Sequence, residues 1–301
     1  MKMSNNTRQW AGNTGGGNFG RNFLLFLLRF APVQVGYFFM AFSIPVYLTT
    51  HVKERNAIYY YFRRRHHYSK LKAAFSTVRN HFIFGKIVID KFAVWARGNQ
   101  WIDIQVVGTD YVKQLVSMDE GFMILGAHVG NFELAGYAFP QHEKKIFTVV
   151  YEGENKNVQS DRQMKMGESN VVMVPVSDDG SHIFTLNAAL DSGDIVSMTC
   201  DRVLGSDKTF TPLLLGERAS FPSGAFRLAA AKNVKTVALF ALKGRGKKYK
   251  VLVNPIEIEQ IEGETSAKKA ARLAEEYAQT LENVLNQYPL QWFNFYDFWE
   301  D

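Results

Sequence analysis

A chain of 301 residues can bury a substantial core in one large domain or two small ones, so it needs neither disulfides nor metal to hold it together. The only cysteine, Cys200, excludes an internal disulfide and fits a reducing compartment, with a small buried hydrophobe as its plain reading. The net charge of +6 is unevenly placed: residues 1–72 carry eleven Lys or Arg against Glu54 alone, while the remainder carries 24 basic and 28 acidic residues, which argues against nucleic-acid binding by the chain as a whole.

Residues 1–22 read as a flexible polar arm. Its Gly15-x-Gly17-x-x-Gly20 matches a dinucleotide fingerprint in letters only, because that motif needs a strand before it and a crossover helix after it. Residues 23–50 form a hydrophobic membrane-attachment segment. From Phe30 to Leu48 no side chain is charged, and a helix of that length reaches roughly 28 Å, about the thickness of a bilayer core. Pro32 stands near a helix start, and Pro45 is expected to kink or end the helix. Three placements are open: a span, a helix lying in the interface, or a buried core helix. A cleavable signal peptide fits poorly, since a long polar stretch precedes the apolar run. The cluster Arg63, Arg64, Arg65, Lys70 and Lys72 follows the apolar run, which predicts that this side faces the cytoplasm and an anionic membrane surface.

Residues 51–97 are expected to form a basic amphipathic helical region, with Phe62, Leu71, Phe75, Val78, Phe82, Ile87 and Phe92 at helix-like spacing. Beyond Gly98 the pattern changes. Strands are predicted near Ile102–Val106, Gly121–Gly126, Ile146–Val150, Val171–Val176 and Asp194–Thr199, with helices near Phe132–Phe139, Ile183–Leu190 and Gly224–Ala231. Strands at Val234–Leu242 and Tyr249–Ile258 follow, joined by a turn, and then a long helix from Ser266 to about Tyr288. Short apolar strands alternating with helices predict an α/β layered domain over residues 98–301, with a largely parallel central sheet flanked by helices.

The chemistry concentrates in Gly126-Ala-His128-Val-Gly130-Asn131-Phe-Glu133, where an apolar strand ends. Ligands and catalytic groups collect at the C-terminal edge of parallel strands. On one regular helix His128 and Glu133 would point about 140° apart. With His128 in a strand-to-helix turn and Glu133 in the first helical turn, a His–carboxylate hydrogen bond becomes feasible, Gly126 and Gly130 supplying backbone freedom. Such a pair suits acyl transfer: the imidazole takes a proton from an acceptor hydroxyl and the carboxylate fixes the tautomer. There is no G-x-S-x-G elbow, no H-E-x-x-H and no paired cysteine ligands, so the nucleophile would come from the substrate.

His128-Val-Gly-Asn-Phe-Glu133 resembles the His-x4-Asp/Glu hallmark of the glycerolipid and lysophospholipid acyltransferase superfamily, and its Asn-Phe-Glu form resembles the late acyltransferases of bacterial lipid A biosynthesis. Asp201-Arg202 is similar to the second block of these enzymes, whose Arg is implied to steady anionic substrate groups, a surface Asp–Arg dipeptide being the alternative. Pro212 to Ala229 resembles the third block. It contains Ser223 and Gly224 at a helix start able to offer amides to phosphate, and Arg227 as a second anion contact or a solvated residue. Tyr288-Pro-Leu-Gln-Trp292 resembles the C-terminal block, where Tyr296-Asp297-Phe298 replaces the usual basic residues; its aromatics would pack as core, cover an acyl groove or sit at an interface.

The resemblance implies His128 and Glu133 as catalytic residues and Asn131, Asp201, Arg202, Ser223, Gly224 and Arg227 as substrate-binding ones. It implies no cofactor and no metal, acyl carrier protein as the donor (coenzyme A less so), a membrane lipid acceptor, and a place on the cytoplasmic face of the inner membrane. A non-catalytic lipid-binding protein and a lipid hydrolase are the competing readings.

Overall fold

The computed structural model describes residues 17–134, 144–150, 170–177, 179–203 and 208–299. The N-terminal arm up to residue 16 and the end of the helix expected at Phe132–Phe139 lie outside the described residues.

The apolar N-terminal segment is two helices, α1 (Gly17–Phe30) and α2 (Val33–Thr50). They break at Pro32, which is extended at φ −54°, ψ 142° and restricts the residue before it. Pro45, expected to kink or end the helix, lies inside α2, which continues to Thr50. Packing of Gly36 and Tyr47 on the next long helix holds both sides of the interrupted hydrogen-bond ladder. α3 (Val52–Tyr60) widens into a π turn at Tyr61–Arg65. α4 (Lys70–Arg97) starts at Ser69, whose hydroxyl accepts from the Lys72 amide, and stops at Gly98 with φ 87°.

The sheet contains β1 (Asp103–Val107), β2 (Phe122–Gly130), β3 (Ile146–Val150), β4 (Val171–Pro175), β5 (Ile195–Thr199), β10 (Lys235–Lys243) and β11 (Lys248–Pro255). Between β5 and β10 lie two short antiparallel pairs, β6 (Thr209–Phe210) with β9 (Phe221–Pro222) and β7 (Leu213–Leu214) with β8 (Glu217–Arg218). The seven strands run in the order β1-β11-β10-β2-β5-β3-β4. All neighbours are parallel except the β10–β11 hairpin, closed by the Gly244 amide on the Lys248 carbonyl at 2.8 Å. The expected largely parallel α/β sheet is therefore the observed one.

Helices cover both faces: α5 (Thr109–Ser117) on one, and α6 (Ser181–Asp191), α7 (Gly224–Lys232) and α8 (Ser266–Gln287) on the other. Phe122, Ile124 and Val237 pack with Val112 and Leu115 of α5, while Met123, Leu125, Ala238 and Phe240 share a core with Phe226, Tyr277 and Leu281. The alternation along β2 and β10 is the period of two that puts neighbouring side chains on opposite faces. α4 crosses the C-terminal end of the sheet: Ala73 belongs to the second core, whereas Ile89 and Val94 form a third with Leu28, Val33 and Tyr249. The basic helical region is thus packed against the sheet.

Candidate active site

β2 outruns its neighbour. Pairing between β2 and β5 ends at Gly126↔Thr199, and the Cys200 amide then reaches the Gly126 carbonyl at 2.9 Å. Two residues further on each chain stand His128 and Asp201, side by side at the C-terminal strand edge. His128 is still part of the strand, so the turn position expected for it is replaced by a strand-end one, permitted because β2 continues to Gly130. The turn follows at Gly130, which has φ 62°, and a Cβ there would lie 2.1 Å from the Ala241 carbonyl oxygen. Only glycine fits. Gly126, in contrast, would meet nothing closer than 3.8 Å, so its lack of a side chain is not a backbone requirement.

Asp201 Oδ2 accepts the His128 backbone N–H at 2.8 Å, and Asp201 Oδ1 lies 2.7 Å from His128 Nδ1. Trp292 Nε1 donates to Oδ2 at 3.0 Å, and the Tyr296 hydroxyl donates to the Asp201 backbone carbonyl at 2.9 Å. Asp201 is 0% exposed. Burial alone would raise its pKa. The charge and hydrogen bond of His128, the charge of Arg202 and the Trp292 donor outweigh burial and bring the carboxyl down to about 2. The His128 side chain is 15% exposed, with Phe132 edge-on at 4.9 Å and partly open to solvent.

The C-terminal block holds this strand end in place. The Phe293 amide donates to the His128 carbonyl at 2.9 Å, and Val129 bridges Trp292. Gln291 clasps both backbone groups of Lys243, at 2.8 and 3.0 Å, at the end of β10. From α4, Asn80 Nδ2 donates to the carbonyls of Leu290 and Trp292 at 3.1 and 2.9 Å. Trp292 is 1% exposed, so the Tyr-Pro-x-Gln-Trp aromatics pack as core, yet the indole N–H lands on the carboxylate beside His128. Sequence reasoning missed that donor. Nothing in the spacing of the block ties it to Asp201.

Glu133 sits in the short 3-10 turn after Asn131, with Oε1 3.2 Å from Lys91 Nζ of α4. Asn131 is buried, its amide donates to the Ala241 carbonyl at 2.7 Å, and its side chain faces the phenol of Tyr249. Arg202 Nη2 donates to the Phe293 carbonyl at 3.2 Å, which sets the guanidinium next to the C-terminal block. Ser223, Gly224 and Arg227 gather at the start of α7. Ser223 is the N-cap residue and its hydroxyl accepts from Arg227 Nε at 3.2 Å, while the guanidinium lies over Phe210 at 5.4 Å. The contacts therefore bring His128, Asp201 and Arg202 together with the C-terminal block, and they place Ser223, Gly224 and Arg227 in a second group around one helix terminus.

A family model described as bacterial lipid A biosynthesis acyltransferase matches residues 77–300, from the first third of α4 through the C-terminal block. The chain belongs to that family. This lipid A biosynthesis acyltransferase family member is accordingly an acyltransferase, and its chemistry is acyl transfer to a lipid. Among solved structures it is similar to the 1-acyl-sn-glycerophosphate (LPA) acyltransferase PlsC of Thermotoga maritima, at 14% identity over 90% of this chain and 99% of that one, with a TM-score of 0.40. No curated protein matches it in sequence.

Proposed function

We propose that the enzyme transfers a fatty acyl group from an acyl-carrier-protein thioester to a hydroxyl of a lipid A-like acceptor at the cytoplasmic face of the inner membrane, without a cofactor. The observation that carries the reading is the 2.7 Å contact between His128 Nδ1 and the Asp201 carboxylate at the strand edge. With Asp201 ionised, Nδ1 carries the proton and donates it to Oδ1, which leaves the Nε2 lone pair for the substrate. Nε2 takes the acceptor hydroxyl proton as the oxygen attacks the thioester carbonyl carbon. The tetrahedral intermediate collapses, the C–S bond breaks, and the leaving thiolate takes the proton back from the imidazolium. Ester and free carrier thiol are the products, and nothing is oxidised or reduced.

Asp201 orients the ring and stabilises the imidazolium. Glu133, held by Lys91 in the turn that follows the strand end, supplies a second carboxylate to the site. Arg202 binds an anionic group of the acceptor, with Asn131 fixing the turn beside it; Ser223, Gly224 and Arg227 form a further anion contact at the helix terminus. The test gives purified enzyme an acyl-carrier-protein or coenzyme A thioester with a lipid A precursor and follows product by mass spectrometry. Acylated acceptor and free carrier thiol are expected from the carrier-protein donor. Free fatty acid would identify a hydrolase, and bound lipid without turnover a lipid-binding protein.

A further inference from the structure

Between α3 and α4 the chain departs twice from ordinary helix geometry. The π turn at Tyr61–Arg65 adds a residue to one helical turn, and His67 after it stands at φ 52°, a conformation uncommon outside glycine. Both departures cost energy and persist only where the surroundings fix them. Here the surroundings are aromatic: the Arg64 guanidinium lies 4.6 Å over the Tyr60 ring, and that of Arg65 lies 4.4 Å over Trp299 and pairs with Glu217. The two arginines thereby line a cleft between the π turn and the C-terminal block, together with Tyr61, Trp292, Asn294 and Tyr296.

Polar atoms of this lining are buried without a partner. Asn294 is 3% exposed, and neither its Oδ1 nor its Nδ2 has a hydrogen-bond partner among the described residues; the same holds for the hydroxyl of Tyr61, 4% exposed. An unpaired buried amide is destabilising, and a leucine of similar volume would fill the position without that penalty. Core packing therefore gives no reason for asparagine here. The cleft adjoins the catalytic pair through two of its own residues: Trp292 Nε1 donates to Asp201 Oδ2 at 3.0 Å, and the Tyr296 hydroxyl donates to the Asp201 carbonyl at 2.9 Å. The lining also defines a ligand. Guanidinium groups bind phosphate, and an amide offering both its oxygen and its nitrogen complements another amide. Asp297, in the same lining, accepts from hydroxyl or N–H donors and disfavours a bare anion.

We infer that the cleft between the π turn and the C-terminal block binds a phosphorylated group of a substrate, with the phosphate at Arg64 and Arg65 and an adjoining amide on Asn294. Two sources carry this chemistry: the phosphopantetheine arm of the acyl donor, and a phosphorylated, N-acylated headgroup of the acceptor. The inference rests on the proposed transfer from a carrier thioester to a lipid A-like acceptor.

The experiment uses the full chain in mixed detergent–lipid micelles and measures KM for donor and acceptor separately. Asn294→Leu should raise KM for one of them about ten-fold with kcat nearly unchanged, because a contact made equally in the ground and transition states acts on KM. Its melting temperature should not fall. Arg64 is exposed, so Arg64→Gln puts no burden on folding; it should raise the same KM, with Arg64→Lys recovering part of the loss. Binding is read without turnover by titrating coenzyme A, which carries the donor's arm, and a phosphorylated lipid A precursor in micelles. A preparation inactive in transfer thus still reports on the cleft, and its inactivity bears on the acyltransferase reading alone. Weakened coenzyme A binding in Asn294→Leu and Arg64→Gln assigns the cleft to the donor, and weakened precursor binding assigns it to the acceptor. Unchanged KM and unchanged binding of both probes in the folded variants would overturn the inference. So would a fall in kcat alone, the mark of a disturbed contact between Trp292 and Asp201.

Discussion

Asp201 holds His128 at two points, the backbone amide at 2.8 Å and ring Nδ1 at 2.7 Å, so the carboxylate fixes both the strand end and the rotation of the imidazole. Asp201→Asn keeps the shape but cannot stabilise the imidazolium, and it competes for the wrong tautomer. Turnover should fall on the order of 10² to 10⁴-fold, as for loss of the general base in His128→Ala, with a much smaller change in KM. The double variant should be scarcely worse than either single one, because the two act as a unit. Steady-state kinetics of the three variants, with melting curves to confirm folding, decide the matter; wild-type turnover by a folded His128→Ala enzyme would end the mechanism.

Lys91 holds Glu133 at 3.2 Å, while the carboxylate on His128 Nδ1 is that of Asp201. Glu133→Gln should therefore lower kcat by about ten-fold, equivalent to about 1.4 kcal/mol of transition-state stabilisation, a smaller loss than that of Asp201→Asn. A loss as large as that of His128→Ala would return Glu133 to the position of direct partner.

Asp90 is fully buried and receives Lys243 Nζ, the Tyr249 hydroxyl and the Tyr37 hydroxyl, linking α2, α4 and the β10–β11 hairpin. Removing one member of such a cluster strands the others. Asp90→Ala should cost about 3–5 kcal/mol in stability by leaving a buried ammonium without its counter-ion. Replacing Asp90 and Lys243 together by apolar residues of similar volume should cost clearly less. Denaturant titrations of the single and double variants measure the difference.

His66 provides the pH dependence of stability. Burial first, then the charges of His67 and Lys72, push its pKa down to about 4, below the unfolded value of about 6.5. The unfolded chain thus binds more protons between these values. The stabilisation is fully present above about pH 6.5 and is lost as pH falls toward 4. Asp201, with a pKa of about 2, adds its own loss only below the usual carboxylate range. The melting temperature should drop between pH 6.5 and 4, and His66→Phe should flatten that slope, the residue coming from His81, which burial also pushes down. An unchanged slope in His66→Phe would refute the assignment.

The unbroken apolar runs at Gly121–Gly126 and Val237–Leu242 were enough to predict buried strands, because a strand covered on both faces is apolar throughout and leaves that mark along the chain itself. The block order His128 to Glu133, Asp201-Arg202, Pro212 to Ala229 and Tyr288 to Trp292 was enough to place the chain in its family. Local letters also marked Pro32 as a helix boundary and Gly130 as the turn. Which carboxylate meets His128 Nδ1 was not legible, because Asp201 lies 73 residues away and arrives only through the parallel pairing of β2 with β5. The Trp292 donor arrives in the same way, through its bridge to Val129. Hydropathy likewise showed that Phe30–Leu48 seeks an apolar medium, but not that one of its sides is already occupied by α4. Periodicity records what each segment prefers to bury; the partner it is buried against is set by contacts between segments far apart in the chain, and only the tertiary structure decides those.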